Sequence, residues 1–323
     1  MKKNFIKSII IILLANCLFV GFLFAGDLEP TVGPSPTMRS LDSIETRTSI
    51  SELPFLIQTS GSYFLTGDLT SNGNGIEVNA NNVTIDFRGF SISGVGIGIY
   101  KGIVISSRNN VVVKNGTIKN FGDRGIYEWG ANSYNHRITN MSICSNLNSG
   151  IVLGGTSNYI SNCIISDNGQ TGISVVYNCI VRDNVVRGNQ AVGVNSGSGC
   201  IISDNIINSN GGNGLVAISG CKIMGNLIRD NNLENDASFA GIKITDACTI
   251  FGNLVTKNKQ VNIYVSGSGN SIESNLVSDS TNGIFFVSGG NFYANNKASS
   301  ISGTSWAGNV PTGDADGGGN IAF

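Results

Sequence analysis

The sequence is poor in proline, in charge and in histidine. Only 5 of its 323 residues are proline, 13% are charged and 1 is histidine. So low a charged fraction, with a formal net charge of −1, excludes a basic nucleic-acid-binding surface and an acidic or basic tail. The hydrophobic share of 41% is too high for a disordered chain. We therefore expect a folded protein with a hydrophobic core and no nucleic-acid partner.

Long apolar runs are missing beyond the N-terminus. Residues 1–25 begin with lysines and continue with apolar residues to Ala25, which is the layout of a secretory signal peptide. Because Leu23 is a poor match to the small residue wanted upstream of the cleavage point, a retained membrane anchor is the alternative. No later stretch reaches the roughly 20 apolar residues of a membrane span. We expect a secreted, periplasmic or cell-surface protein with no stable membrane span after cleavage.

The distribution of proline divides the chain. Residues 26–54 hold four prolines mixed with Ser and Thr, as in a linker. No proline occurs from Phe55 to Val310, which suits a region whose backbone N–H groups are committed to a sheet. We expect a signal peptide (1–25), a linker (26–54), a repeat domain with its N-terminal cap (55–296) and a Gly-rich C-terminal tail or cap (297–323).

A repeat of 21 residues runs through the middle of the chain. Segments that begin at Cys179, Cys200 and Cys221 align, and each continues to a Gly followed by an aliphatic residue. This Gly-aliphatic landmark recurs from Gly75 to Gly283 at spacings of 21–27 residues, with Asn replacing Gly once. Apolar residues alternate in short bursts between Asn, Asp and Gly turns, and no segment keeps a helical period.

These features predict an all-β solenoid: a single-stranded right-handed parallel β-helix of about ten coils. Leucine-rich repeats are excluded because Ile and Val stand where Leu is needed. Left-handed β-helices are excluded because a period of 21–22 residues is not built from hexapeptides.

Aligned units place like residues in columns. Asn side chains in a column are expected to hydrogen-bond the turn backbone and the Asn one coil away. Cys side chains in register point the same way, which disfavours disulfides, so we expect small buried thiols. Without a Cys-x-x-Cys pair or a His partner we expect no metal and no cofactor. The three columns are Asn158, Cys179, Cys200, Cys221, Cys248, Asn270 and Asn291; Cys163, Asn184, Asn205, Asn226, Asn253, Asn275 and Asn296; and Asn168, Asn189, Asn210, Asn231 and Asn258.

The opening coils carry a family resemblance. Residues 61–69 (GSYFLTGDL), followed by residues 82–94 (NVTIDFRGFSISG), resemble the start of bacterial secreted right-handed parallel β-helix repeat proteins of the pectate lyase-like superfamily. The resemblance covers residues 55–296 and implies the fold, whereas the superfamily includes lyases, glycoside hydrolases, epimerases and adhesins. The catalytic signatures of its polygalacturonase-type hydrolases, main-type pectate lyases and epimerases are absent here.

Breaks in the period are where a site is expected, because the inward columns are filled with aliphatic residues. The richest break runs from Asp123 to Arg137, where Glu128 takes a slot that is aliphatic in most other coils. A carboxylate, an arginine and aromatic rings suit sugar binding and acid–base chemistry on a glycan. The candidate catalytic residues are Glu128, His136, Arg137, Asp123 and Arg124. The candidate substrate-binding residues are Tyr127, Trp129 and Tyr134, with Arg182, Arg187 and Arg229 as a basic flank for an acidic polysaccharide.

Two functions remain open from the sequence. The first is an exported β-helix protein that acts in binding or is displayed at the cell surface, and that interacts with a polysaccharide without catalysis. The alternative is a polysaccharide lyase or glycoside hydrolase that acts on an acidic polysaccharide. The missing catalytic signatures favour the first.

Overall fold

The computed structural model describes residues 47–130, 132–233, 236–307 and 313–322, which form a parallel β-solenoid. The expected signal peptide and most of the expected linker lie outside the described residues. The strands, in chain order, are β1 (Thr48–Ile50), β2 (Phe55–Ile57), β3 (Gly61–Leu65), β4 (Leu69–Thr70), β5 (Ile76–Val78), β6 (Val83–Asp86), β7 (Ser91–Ser93), β8 (Ile103–Ser106), β9 (Val111–Lys119), β10 (Ile126–Trp129), β11 (Arg137–Cys144), β12 (Ile151–Thr156), β13 (Tyr159–Ser161), β14 (Ile164–Ser166), β15 (Ile173–Tyr177), β16 (Ile180–Arg182), β17 (Val185–Arg187), β18 (Val194–Ser196), β19 (Ile201–Ser203), β20 (Ile206–Asn208), β21 (Leu215–Ser219), β22 (Lys222–Met224), β23 (Leu227–Arg229), β24 (Ala240–Asp246), β25 (Thr249–Phe251), β26 (Leu254–Thr256), β27 (Val261–Val265), β28 (Ser271–Glu273), β29 (Leu276–Ser278), β30 (Asn282–Phe286), β31 (Phe292–Ala294), β32 (Lys297–Ser299), β33 (Trp306–Ala307), β34 (Ala315–Asp316) and β35 (Ile321–Ala322).

The strands stack into three faces. Face one is a 12-stranded parallel sheet made of β2, β5, β8, β10, β12, β15, β18, β21, β24, β27, β30 and β33. Faces two and three share a 23-stranded sheet. Face two contains β1, β3, β6, β13, β16, β19, β22, β25, β28, β31 and β34, and face three contains β4, β7, β14, β17, β20, β23, β26, β29, β32 and β35. The long strands β9 and β11 run through both faces.

The predicted all-β parallel solenoid is confirmed, with about 12 coils rather than about ten. The two additional coils lie at the ends, where Phe55 and Trp306 follow Pro54 and Ser305 instead of the Gly landmark. Strand β1 lies inside the segment expected to be linker, and it pairs with β3. Strands β32 to β35 continue the stack into the expected tail. Within the described residues no helix is long and apolar enough to cross a membrane.

The Gly landmark is explained by a close approach between coils. A Cβ at Gly125 would lie 2.4 Å from Cγ2 of Ile143 and 2.7 Å from the carbonyl oxygen of Gly150 in the next coil. The chain therefore enters face one at a point where almost any side chain would collide with the next coil. Single left-handed residues make the bends between faces two and three, as at Asp183 (φ 55°) and Asp204 (φ 58°), which explains the Asn, Asp and Gly content of the turns.

The Asn columns form hydrogen-bonded ladders inside the solenoid, as predicted. Asn205 is 1% exposed, and its Oδ1 accepts hydrogen bonds from both the backbone N–H and Nδ2 of Asn184. Its own Nδ2 donates to the carbonyl oxygen of Val181 at 2.9 Å and to Oδ1 of Asn226 at 3.0 Å. Each Asn thus satisfies turn backbone that burial would leave unpaired.

The cysteines of the first column, and Cys163 of the second, lie in the same interior. The six cysteines of the described residues are all free thiols, and Cys163, Cys179, Cys200, Cys221 and Cys248 are buried. Burial raises the pKa of the Cys163 thiol to about 12. Cys163 is thus a small core residue and a poor nucleophile at neutral pH.

Candidate functional site

The break between Asp123 and Arg137 does not form a single site. The chain enters face one along β10, crosses a turn and joins face two at β11. Because side chains on a strand alternate between the two sides of the sheet, Tyr127 and Trp129 point outward while Glu128 points inward. The candidate residues are therefore divided among face one, the interior and face two.

On face one, charged side chains surround Tyr127. The guanidinium carbon of Arg124 lies 4.7 Å and Nζ of Lys101 lies 5.4 Å from the ring centroid of Tyr127. Both cations also pair with Asp123, at 2.9 Å from Arg124 Nη1 and 3.0 Å from Lys101 Nζ. Two positive charges share one carboxylate, so the cluster keeps a net positive charge beside an aromatic ring.

Trp129 extends this cluster along the strand. Its side chain is 73% exposed, an unusual exposure for so large an apolar group. With Tyr127 it lines an open cleft of about 230 Å³ whose other walls come from β8 and Ser107, in the preceding coil. We call the set Lys101, Asp123, Arg124, Tyr127 and Trp129 the first station. It offers an exposed indole, a cation-covered ring and a shallow cleft, which suit the apolar faces and polar rims of sugars.

Glu128 anchors the turn that follows β10. It is 1% exposed, its Oε1 accepts a hydrogen bond from Ser133 Oγ, and its Oε2 accepts one from the backbone N–H of Gly155 at 2.7 Å. Burial raises the pKa of this carboxyl, while the two hydrogen bonds oppose the shift. Glu128 was a candidate catalytic residue, but alternation on β10 aims its side chain into the solenoid, where both oxygens accept hydrogen bonds and neither is open to a ligand outside.

His136 is likewise interior. It is 0% exposed, and its Nδ1 accepts a hydrogen bond from the backbone N–H of Val111 at 3.3 Å, which places the ring proton on Nε2. Its own backbone N–H donates to Oδ1 of Asn158 at 2.9 Å, so it occupies the first column one coil before that Asn. Burial lowers the pKa of His136 to about 4. His136 is therefore not open to a ligand outside the solenoid, because the first column faces the core.

The remaining candidates lie elsewhere. Arg137 is exposed on face two beside a cleft of about 300 Å³ that includes Tyr159, and Tyr134 is exposed in the turn. The predicted basic flank is on faces two and three, not beside the first station: Arg182 belongs to β16, Arg187 to β17 and Arg229 to β23. Arg182 Nε pairs with Asp183 at 2.6 Å and Arg229 Nη1 with Asp230 at 3.5 Å, so adjacent carboxylates compensate these charges.

Lys101 was missed by the sequence analysis. It is 22 residues upstream of Asp123, outside the break that was searched. The repeat itself held the signal: Lys101 precedes the landmark Gly102-Ile103 just as Arg124 precedes Gly125-Ile126. Residues one coil apart at the same position relative to the landmark are neighbours in the stack.

Comparison with known proteins agrees with the architecture. The profile of a family described as "Periplasmic copper-binding protein (NosD)" matches residues 76–233. The A-module of mannuronan C-5 epimerase AlgE6 from Azotobacter vinelandii is similar at a TM-score of 0.69 and 12% identity, over 86% of this chain and 90% of that one. The periplasmic alginate epimerase AlgG has a TM-score of 0.61 at 12% identity, over 83% and 76%. The Dettilon tailspike protein gp208 has a TM-score of 0.63 at 15% identity, over 85% and 61%. No curated protein sequence matches the chain.

At these identities the structural likeness defines the fold. The chain is a right-handed parallel β-helix repeat protein with the pectate lyase-like fold.

Proposed function

We propose that this is an exported protein that binds an acidic polysaccharide on face one, at the first station, without cleaving it. The observation that carries the proposal is the exposed Trp129 beside the cation–aromatic cluster of Tyr127, Arg124 and Lys101. Exposed aromatic rings next to cations provide stacking area and charge attraction for an anionic sugar chain. The similar folds include two epimerases named for mannuronan and alginate, and two descriptions that contain the word periplasmic support an exported location.

The placement of the titratable groups favours binding over catalysis. A general acid or base must reach the proton that it transfers, at hydrogen-bond distance or through one water. Glu128 and His136, the strongest candidates in the break, are 1% and 0% exposed. The Asp123 carboxylate is engaged in ion pairs with both Lys101 and Arg124.

The family description also names copper, and the donor groups do not fit that metal. Copper sites use clustered imidazole, thiolate or thioether ligands. Among the described residues, no group of three or more His, Cys, Asp or Glu side chains could hold a metal ion. His136 faces the core and accepts a hydrogen bond through Nδ1. We assign no step to copper.

A polysaccharide panel tests the proposal. The purified protein is titrated with mannuronan, polygalacturonate and neutral dextran, with binding measured calorimetrically and chain cleavage measured by release of reducing ends. We expect at least one acidic polymer to bind without cleavage. Trp129→Ala should weaken that binding at least tenfold, by about 1.4 kcal/mol or more, with an unchanged melting temperature because the side chain is exposed.

Phe251→Ala is the matched control, because Phe251 is an outward aromatic that is 49% exposed on face two. It should leave the affinity unchanged. Equal losses in the two variants, or no binding by either acidic polymer, would contradict the proposal. Release of reducing ends would establish the enzymatic alternative.

A further inference from the structure

A second cation–aromatic cluster lies near the other end of face one. Nζ of Lys243 lies 5.2 Å from the ring centroid of Tyr264, and the rings of Tyr264 and Phe285 stack at 5.6 Å with an interplanar angle of 8°. The lysine Nζ also donates to the carbonyl oxygen of Ser238 at 3.3 Å, and its positive charge acts on the nearby carboxyl of Asp236. We call Lys243, Tyr264 and Phe285 the second station.

Tyr127 of the first station and all three residues of the second station belong to one outward column. Each member follows the aliphatic residue of its landmark by one position, and each is in register with the next across parallel strands. Between the stations the column contains only uncharged residues of modest size. In order, it reads Tyr127, Val152, Ser174, Asn195, Val216, Lys243, Tyr264 and Phe285. A cation and an aromatic ring therefore lie at both ends of a run of small and medium uncharged side chains in this column.

The register of the strands fixes the distance between the two stations along the solenoid axis. Six inter-strand steps separate Tyr127 from Tyr264, and at about 4.8 Å each they span about 29 Å. An extended polymer along the solenoid axis would reach both stations at once, whereas a short oligomer would reach only one.

We propose that the second station is an additional binding site for the same acidic polysaccharide, so that the protein selects long chains over short ones. This inference rests on the proposed function and adds a site that the first station does not require. Once one end is bound, the second contact is intramolecular, and tethering of this kind raises overall affinity by about 100-fold or more without new chemistry at the first site. Cations at both ends favour polyuronates over neutral glycans.

The test measures affinity against chain length. Oligomers of mannuronan and of polygalacturonate, from the disaccharide up to chains longer than the distance between the two stations, are titrated into the full-length protein. We expect the affinity to rise by about 100-fold when the oligomer becomes long enough to span both stations. In a variant with Tyr264→Ser, Phe285→Ser and Lys243→Gln, that rise should disappear while the affinity for short oligomers is unchanged.

The control carries Phe251→Ser and Phe292→Ser, which remove two exposed aromatic rings from face two. It should behave as the wild type does, and melting curves identify any variant that fails to fold. Should a folded second-station variant keep the full dependence on length, or should the wild type show none, the second station is refuted while the first station stands. Should short oligomers lose affinity in that variant as well, the two stations are not separate. Absence of binding at every length refutes the proposed function itself.

Discussion

The two ionisable side chains in the core of the break have pKa values shifted in opposite directions, and both shifts disfavour charge. Burial raises the pKa of Glu128 and lowers that of His136 to about 4. A buried carboxyl resists losing its proton, and a buried imidazole resists gaining one. The interior of this coil therefore favours neutral forms, which gives each residue a distinct signature in the pH dependence of stability.

His136 should destabilise the protein in acid. Its folded-state pKa lies below the unfolded value of 6.5, so its contribution to stability is present above pH 6.5 and is lost as the pH falls through about 4. The loss amounts to about 3 kcal/mol at about 1.4 kcal/mol per pH unit. His136→Asn, which supplies the side-chain amide found at Asn158 in the next coil, should remove this part of the acid sensitivity in urea unfolding measured between pH 7 and pH 4. Parallel pH profiles for the wild type and the variant would contradict the assignment.

The contribution of Glu128 to stability should change with pH in the direction opposite to that of His136. Because its pKa is raised on folding, its contribution is present below the ordinary pKa of Glu and is lost as the pH rises through the raised value. Glu128→Gln keeps an acceptor for Gly155 and should be at least as stable as the wild type at pH 7. Glu128→Ala leaves the N–H of Gly155 unpaired and should cost about 1–3 kcal/mol. Thermal melts of both variants at pH 5 and pH 8 measure these differences. A Gln variant as unstable as the Ala variant would show that the carboxyl group itself is required and would contradict the prediction.

At the scale of the element, the Asn ladders are the parts most sensitive to substitution. Asn205→Leu removes a side chain that accepts two hydrogen bonds and donates two. Asn208, three residues on, is only partly buried, and its Nδ2 donates to Ser209 Oγ at 3.3 Å. We expect Asn205→Leu to cost about 3 kcal/mol or more, since buried groups are left unpaired, and Asn208→Leu to cost less than about 0.5 kcal/mol, as for a typical surface change. Equal midpoints of urea unfolding for the two variants would refute the ladder's role.

The ladders also show why the sequence predicted the elements well and the site less well. Columns such as Asn184 and Asn205 recur at the period of the coil, so alignment alone places them one above another. A catalytic or binding group has no such repetition. Proximity in sequence between Asp123 and Arg137 suggested one site, although a coil of this size carries the chain from one face to the next within fifteen residues. His136 could have been placed by alignment with Asn158, whereas the exposure of Trp129 depends on how the turn after β10 folds.

At the scale of the whole molecule, stability should vary along the axis. Each coil contacts only its neighbours, so a coil at an end has one neighbour and a central coil has two. We expect amides in β16 to β26 to exchange with solvent more slowly than amides in β1, β34 and β35, because the end coils open without disturbing the rest. Hydrogen exchange followed by mass spectrometry measures this profile. Uniform protection from β1 to β35 would indicate a single cooperative unit instead.

The ladders have an electrical consequence as well. Where Asn follows Asn in a column, the side-chain oxygen accepts from the preceding coil and the NH₂ group donates to the Asn of the next coil, as in Asn226 to Asn253 and Asn275 to Asn296. Their dipoles add along the axis, with the positive end at the C-terminal coil, as peptide dipoles add in a helix. That end meets negative charge: Asn320 Nδ2 donates to Asp316 Oδ1 at 2.7 Å, and the backbone N–H of Asn291 donates to Asp314 Oδ1 at 2.8 Å. The solenoid is thus an oriented polar rod whose positive terminus is capped by its own carboxylates.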